Sequence, residues 1–471
     1  MRVSGARGKK RSDFAYQAVY RYLVSLINTA DGHVRVKLPS LRLLAERLNV
    51  SISTIQYAYS LLEKEGRIYS VAKSGYYALP VQGGPLCNGV QDVLERLYVY
   101  SRRPRMVLLC CDESGALLPP DDPLRVLERE LVRQYPRRSL SCFQPFGEPE
   151  LRAALAVRYT SSPQRYWHAE DVYIGADLRS VLEILLAALG LEGSTVVVES
   201  PCDWVVLRLL RAGGVRVVEW PLHADGHLEL SALKQIFDRE PVRLLLMSST
   251  AGMAQGVMPT LEARRQLAEL LHQHEVWLLE NDCLGELCHQ QPVVRLRELV
   301  NPDRLLVFSS LEKVMGAEAP FGYLLSRHFR AELQRHFLLR AFRLSPTRQK
   351  AIARLYRSGQ VDQHLAQLRQ MLRERMSVMS RWLEAHLDAC LEIHVSQVGS
   401  TIWLRLPEQV DVRQVFERLL GQRIVIAPGE LFSLEGGYRQ YVRLSGTLDG
   451  PENLELAIKL LADAVRSEMR G

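Results

Sequence analysis

Hydrophobic and polar positions follow three successive patterns along this chain. In the first eighty residues, Phe14, Ala18, Tyr22 and Leu26 recur at helical spacing and predict an amphipathic helix over 14–27. Val34-Arg35-Val36-Lys37 reads as extended and leads to Leu38-Pro39. Ser40 is placed to cap a helix running to Leu48, with Leu41, Leu44, Ala45 and Leu48 inward. After the turn Asn49-Val50-Ser51, a second helix from Ser51 or Ile52 to Glu65 is expected to bury Ile55, Ala58, Tyr59 and Leu62, with Gly66 stopping it. Residues 67–70 and 76–79 then make a hairpin around 72–75. Two short helices, a tight turn and a hairpin form a winged helix-turn-helix, expected over 12–80.

Residues 81–105 read as a linker. It opens on the breaker-rich Val81-Gln82-Gly83-Gly84-Pro85, and residues 90–100 are patterned as a helix of their own. Beyond it, short apolar runs at 172–174, 195–198, 215–218, 244–247, 276–279 and 305–307 alternate with helical patterns such as 178–189 and 261–274. Short continuous apolar strands separated by helices predict a mainly parallel sheet covered on both faces. From about Ser345 the pattern changes. A long helical stretch precedes an apolar region at 391–406 and strands at 424–426 and 441–444. The expected class is α/β: the winged head, a large subdomain over 106–344, and a small α+β subdomain over 345–471.

Composition narrows the partners. The net charge is +7, and residues 1–79 hold thirteen Lys and Arg against five Asp and Glu. A basic head on a near-neutral body suggests a polyanion partner, with a merely soluble basic face as the alternative. No apolar run approaches the ~20 residues that span a bilayer. The basic N-terminus lacks a signal-peptide core, and the eight cysteines show neither a CxxC pair nor metal-ligand spacing. A reducing cytoplasm and no metal are expected.

One stretch carries candidate chemistry. The apolar run 305–308 ends in Ser309-Ser310, and Lys313 follows before Pro320 and a second apolar run, 321–325. This can present an amine at the C-terminal edge of a parallel sheet, where α/β folds place ligands. A partly desolvated lysine there can lose its proton and attack a carbonyl, as in a Schiff base to pyridoxal phosphate. A solvated surface lysine is the plain alternative.

The segments LPSLRLLAERLNVSISTIQYAYSLLEKEGRI and KSGYYAL resemble the DNA-binding domain of the GntR family. The resemblance implies a second helix in the major groove, with Ser51, Ser53, Thr54 and Gln56 near its N-terminal end. Arg42, Lys73 and Gly75 would approach phosphates or base edges. Ile52 stands where that family often has a polar or basic residue. Downstream, FGEPELR, IGADL, VVVESP, HADGHL, GVMPTLEARRQL, LLENDCLGEL, the lysine stretch, APGELF and YVRLSG occur in the order seen in fold-type-I aminotransferases. Together the two parts resemble the MocR-type regulators.

By that resemblance Lys313 forms the Schiff base with pyridoxal 5'-phosphate. Ser310 and the Gly175-Ala176 turn contact the phosphate, and Arg443 grips an amino acid's carboxylate. Several positions depart from the family. Met253 replaces an Asn that holds the ring oxygen, while Gly256 is kept. Asn281 stands on the Asp that pairs the pyridine nitrogen, with Asp282 one residue along. Leu284 or Cys283 replaces a Tyr, Pro320 an Arg, and Cys142 the tyrosine that reaches the partner's phosphate. Asp203 replaces the stacking aromatic, a place its neighbour Trp204 could fill. Lost phosphate partners predict a weakly formed Schiff base, and a weakened electron sink predicts that transamination does not follow. Glu312 and Glu318 flank the lysine and could raise its pKa, although a surface location is the more common reading for both. The expectation is a homodimeric, cytoplasmic DNA-binding regulator that senses an amino acid or a vitamin B6 species. An active aminotransferase with a DNA-binding head and a cofactor-free dimerisation scaffold are the alternatives.

Overall fold

A computed structural model describes residues 9–28, 37–65, 67–71, 74–78, 92–118, 121–135, 143–387, 392–447 and 451–470. They divide into two compact units, 1–106 and 107–471. Gly66, Lys73, Cys142 and the opening of the linker lie outside the described residues.

In the first unit, α1 spans Lys9–Asn28, α2 Leu41–Leu48 and α3 Ile52–Lys64, followed by β1 Ile68–Val71 and β2 Gly75–Ala78. The Ser40 hydroxyl accepts from Leu43 N at 3.3 Å and caps α2. Asn49, in the left-handed region at φ 51°, ends it, and Ser51 then caps α3 by accepting from Thr54 N at 3.2 Å. This pair of caps makes the turn between the helices tight. β1 and β2 pair antiparallel with Ile68 opposite Ala78. Leu44, Ile55, Ala58, Tyr59, Leu62 and Ile68 form the core with Val19, Leu23 and Ile27 of α1. The buried stripe of α1 is therefore shifted by one from the expected 18, 22, 26 spacing: Ala18 is exposed, and Leu48 of α2 is also exposed. Tyr59, fully buried, donates to Pro39 O at 2.7 Å and ties α3 to the entry of α2. The helix expected in the linker runs Val93–Ser101, capped by Asp92.

The described residues of the second unit build a seven-stranded sheet. Its spatial order is Val172–Ile174, Gly322–Ser326, Leu305–Ser310, Trp277–Asn281, Val242–Ser248, Thr195–Ser200, Arg216–Pro221. Gly322–Ser326 is antiparallel to both neighbours, and the other pairings are parallel. Thr195–Ser200 and Leu305–Ser310 are buried at every position, as a sheet covered on both faces requires. A second, four-stranded sheet holds Glu392–Val395, Thr401–Arg405, Tyr441–Ser445 and Ala427–Pro428. The segment from Val107 joins this smaller part: Val107–Leu108 pairs parallel with Ile424–Val425, and Ser445 N donates to Leu109 O at 2.8 Å.

Glu199, near the C-terminal end of its strand, is buried with only neutral partners. Ser248 donates to it from its hydroxyl at 2.5 Å and its amide at 3.1 Å. Burial outweighs both bonds and pushes the carboxyl from 4.5 up to about 7. The folded chain thus keeps a proton that the unfolded chain gives up. Stability should fall as pH rises from about 4.5 to about 7, by up to ~3 kcal/mol, and level off above. In thermal melts, Glu199→Gln should gain on wild type at pH 8 and match it near pH 4.5. A gain of equal size at both pH values would refute the burial argument.

Candidate functional site

Lys313 leaves the C-terminal edge of the large sheet in a single turn, Glu312–Met315, directly after the strand Leu305–Ser310. Its Nζ donates to the backbone O of Asp112 at 2.5 Å and lies 3.7 Å from Asp112 Oδ2. Asp112 comes from the segment that runs out of the small sheet. The hydroxyls of Ser114 and Ser400 both donate to its Oδ1 at 2.9 Å. The approach depends on a glycine, because a Cβ on Gly115 would sit 2.3 Å from Gly316 N. Burial disfavours the charged lysine, yet Asp112 first and Asp203 next outweigh it and hold the ammonium above its ordinary range. Burial likewise disfavours the Asp112 carboxylate, but Lys313 and then Arg443 hold it below the usual range. Glu312 and Glu318 take the surface reading: both are exposed, and Glu318 pairs with Arg348 at 2.7 Å.

Arg443, buried, donates from Nη2 to Cys110 O at 2.7 Å. Its guanidinium lies 4.7 Å over the ring of Trp204 and 5.0 Å from that of Phe432. Trp204 opens the helix Trp204–Ala212, which Asp203 caps by accepting from Val205 and Val206 amides. Cys283, of the two residues left open in place of the Tyr, lies within the field of Lys313, and burial pushes its thiol up.

Asp282 has other partners. It accepts from Tyr159 OH at 2.6 Å and pairs with Arg297 at 3.1 Å, and Arg297 also pairs with Glu280 at 2.6 Å. Burial raises and Arg297 lowers the Asp282 carboxyl, and the net is a depressed value. Asn281 donates to Met253 Sδ at 3.1 Å and accepts from Cys283 N at 3.1 Å. Ser310 accepts from Glu312 N at 3.3 Å and sits opposite Gly322 in the strand register. Gly322 in turn accepts from Gly175 N at 2.8 Å, a contact open only to glycine, since a Cβ there would meet Asp177 O at 2.4 Å. Gly175, Ala176, Ser310 and Lys313 are thereby brought to one edge. Sequence reasoning missed Asp112, Ser400, Tyr159 and Arg297. For Asp112 the available signal was an acid directly after the apolar run 106–111.

In the head, Arg42, Ser51, Ser53 and Gln56 are exposed, Thr54 is half-buried, and Gly75 is exposed at φ 116°. The Ser51 hydroxyl bonds those of Ser53 at 2.9 Å and Thr54 at 2.7 Å around the start of α3. Ile52 and Tyr57 add exposed apolar surface to the same helix.

The profile of aminotransferase class I and II matches residues 118–460. The chain belongs to that family. Residues 15–77 match the bacterial regulatory proteins of the gntR family, and the combination is the MocR-type architecture. Relatives include the uncharacterized HTH-type transcriptional regulator YjiR of Escherichia coli, 26% identical over 447 residues, covering 92% of this chain and 95% of that one. The probable rhizopine catabolism regulatory protein MocR of Rhizobium meliloti is 23% identical, covering 84% and 83%. Among solved structures, the multiple substrate aminotransferase of Thermococcus profundus superposes with a TM-score of 0.72 at 19% identity, covering 81% and 96%.

The aminotransferase fold implies pyridoxal 5'-phosphate, and the residues can be tested against it. The amine of Lys313 and the guanidinium of Arg443 are in place. The phosphate end does not fit. Asp177 puts its own carboxylate on the N-terminus of the helix Leu178–Leu189, accepting from Ser180 N at 2.7 Å, and the Gly175 amide is spent on Gly322. Anions are welcome at a helix N-terminus only where another anion is not already seated. The ring-nitrogen end does not fit either, since Asn281 is neutral and both ends of its amide are engaged.

A lysine held above its ordinary pKa stays protonated at pH 7 and becomes nucleophilic only as pH rises through that raised value. Full-length protein treated with pyridoxal phosphate and borohydride at pH 7 should carry little adduct on Lys313 by peptide mass mapping. Asp112→Asn removes the chief stabiliser of the ammonium and should raise the yield roughly tenfold for each pKa unit lost. A stoichiometric adduct on wild-type Lys313 at pH 7 would refute this account of the pair.

Proposed function

We propose that this chain regulates transcription as a homodimer in the cytoplasm. Its winged head binds double-stranded DNA, and its aminotransferase-like unit senses a small molecule at the Lys313–Arg443 cluster. The observation that carries the DNA reading is the exposed polar start of α3, capped by Ser51, within a strongly basic segment. Hydroxyls at a helix N-terminus suit phosphate oxygens, and Gln56 and Arg42 suit base edges or phosphates. The regulator names of YjiR and MocR support the same reading. A two-fold DNA site needs two heads. Val126, Val132, Val157, Leu338 and Leu339, all exposed on the second unit, supply apolar surface for pairing. On the sensing side, a protonated Lys313 and a neutral Asn281 make a poor frame for transamination, while the charged groups of the cluster suit binding.

Full-length protein should bind duplex DNA with an affinity that falls steeply with salt, because phosphate contacts release counterions. Arg42→Ala should cost about 1–3 kcal/mol if the side chain meets a base, or flatten the salt slope by ~1 if it meets a phosphate. Unchanged affinity and slope would remove Arg42 from the interface. Light scattering at micromolar concentration should give the mass of a dimer, and a monomer would sink the assembly part of the reading.

A further inference from the structure

Ile52 is the first residue of α3, the helix whose start meets the duplex in the DNA reading above. It is 47% exposed and stands outside the apolar core that Ile55, Ala58, Tyr59 and Leu62 of the same helix build. The hydroxyls around it are engaged in the cap: Ser51 accepts from the Thr54 amide at 3.2 Å, and its hydroxyl also bonds those of Ser53 and Thr54. The other large apolar side chain that α3 exposes near this end, Tyr57, packs edge-on against Tyr16 of α1, with ring centroids 5.0 Å apart. Gln56 is exposed one helical turn after Ile52, so the two share a face.

An aliphatic side chain in a DNA groove cannot answer a hydrogen-bonding base edge. Against guanine, adenine or cytosine it takes water from donors and acceptors and returns nothing. One feature of the major groove repays it, the 5-methyl group of thymine, which the other three bases lack. We infer that Ile52 is a specificity residue that packs on a thymine methyl, while Gln56 pairs with N6 and N7 of an adenine one or two base steps away. The side-chain chemistry fits both parts. A β-branched side chain in a helix holds essentially one χ1 rotamer, so Ile52 presents its methyls in a fixed direction. The Ser51 cap fixes where the helix starts and hence where Ile52 stands. Four residues of helix advance about 6 Å against about 3.4 Å per base step, which sets the separation of the two bases. A primary amide offers one donor and one acceptor side by side, as the adenine edge requires.

This inference rests on the DNA reading above and names what the head reads. Duplexes bound by the full-length protein would be selected from a random pool, and each thymine of the selected half-site replaced in turn by deoxyuridine. That exchange removes the methyl and keeps the base pair. One or two thymine positions should lose roughly three- to tenfold in affinity with the methyl. Ile52→Ala should bind the thymine and deoxyuridine duplexes equally at those positions, with the salt slope of wild type, since no phosphate contact is lost. Ile52→Val, still branched, should keep most of the methyl dependence. Gln56→Ala should keep it too and relax the choice of base at a neighbouring adenine instead. Methyl dependence that survives unchanged in Ile52→Ala would assign it to another residue and overturn the inference. A wild type indifferent to every thymine methyl would overturn it as well, whether or not any variant folds. The failures of the two readings are distinct. Salt-dependent duplex binding without methyl dependence removes only this inference, whereas a protein that selects no duplex loses the regulator reading and this inference with it.

Discussion

The Lys313–Asp112 pair is the contact on which the second unit's arrangement turns. Lys313 belongs to the edge of the large sheet, and Asp112 to a segment bonded into the small one through Val107, Leu109 and Thr447. Each charge, left alone at that depth, would be expensive. Removing one partner of such a pair typically costs about 3–5 kcal/mol, because the other is left buried and uncompensated. The two serines on Asp112 Oδ1 and the glycine contact between 115 and 316 serve the same end, since they fix the carboxylate where the amine can reach it. The pair therefore joins two subdomains with a charge that neither could bury by itself.

The second buried charge group shows how the strand edge has been put to another use. Glu280 and Asp282 alternate with Asn281 along one strand and its exit, so the two acids share a side and Asn281 takes the other. Arg297 sits between the acids, over the ring of Tyr159 at 4.4 Å, and pairs with both. Arg297 and Tyr159 thus engage Oδ2 of Asp282, while Oδ1 has no hydrogen-bond partner among the described residues. Position 281, which faces Met253, has become neutral. The same edge that would polarise a cofactor ring is spent here on holding the subdomain together.

The architecture was legible because each part has a local signature. Ser40, Asn49 and Ser51 mark the helix-turn-helix by capping chemistry, and the apolar runs from 172 to 310 mark a covered parallel sheet by their lack of alternation. The one-residue shift of the α1 stripe escaped, because Phe14, Ala18, Tyr22 and Leu26 fit a helical period as well as Val19, Leu23 and Ile27 do, and only packing chooses between them. At the site, Lys313 and Arg443 were visible as residue types in family motifs. Asp112 was not, since it stands 201 residues from Lys313 and meets it only through the small sheet's pairing. The acids adjacent in sequence, Glu312 and Glu318, lie at the surface, the more common reading for such residues.

For such a site to regulate, a ligand must distinguish two arrangements of the protein, since equal affinity for both shifts nothing. The geometry supplies a means. Asp112 moves with the small sheet and Lys313 with the large one, whereas Arg443 and Trp204, brought together across the same boundary, close the other side. A ligand that touches both sides binds well only when the two subdomains are closed. Typical couplings of ~1–3 kcal/mol require no more than one or two charge-assisted hydrogen bonds gained on closure. The internal pair of Lys313 and Asp112 already favours closure without a ligand, so a ligand that takes over part of that pair acts on a contact the fold has already balanced. A sensor built this way needs the lysine for its charge, and that explains how the residue can persist while the phosphate and ring-nitrogen partners around it have been replaced.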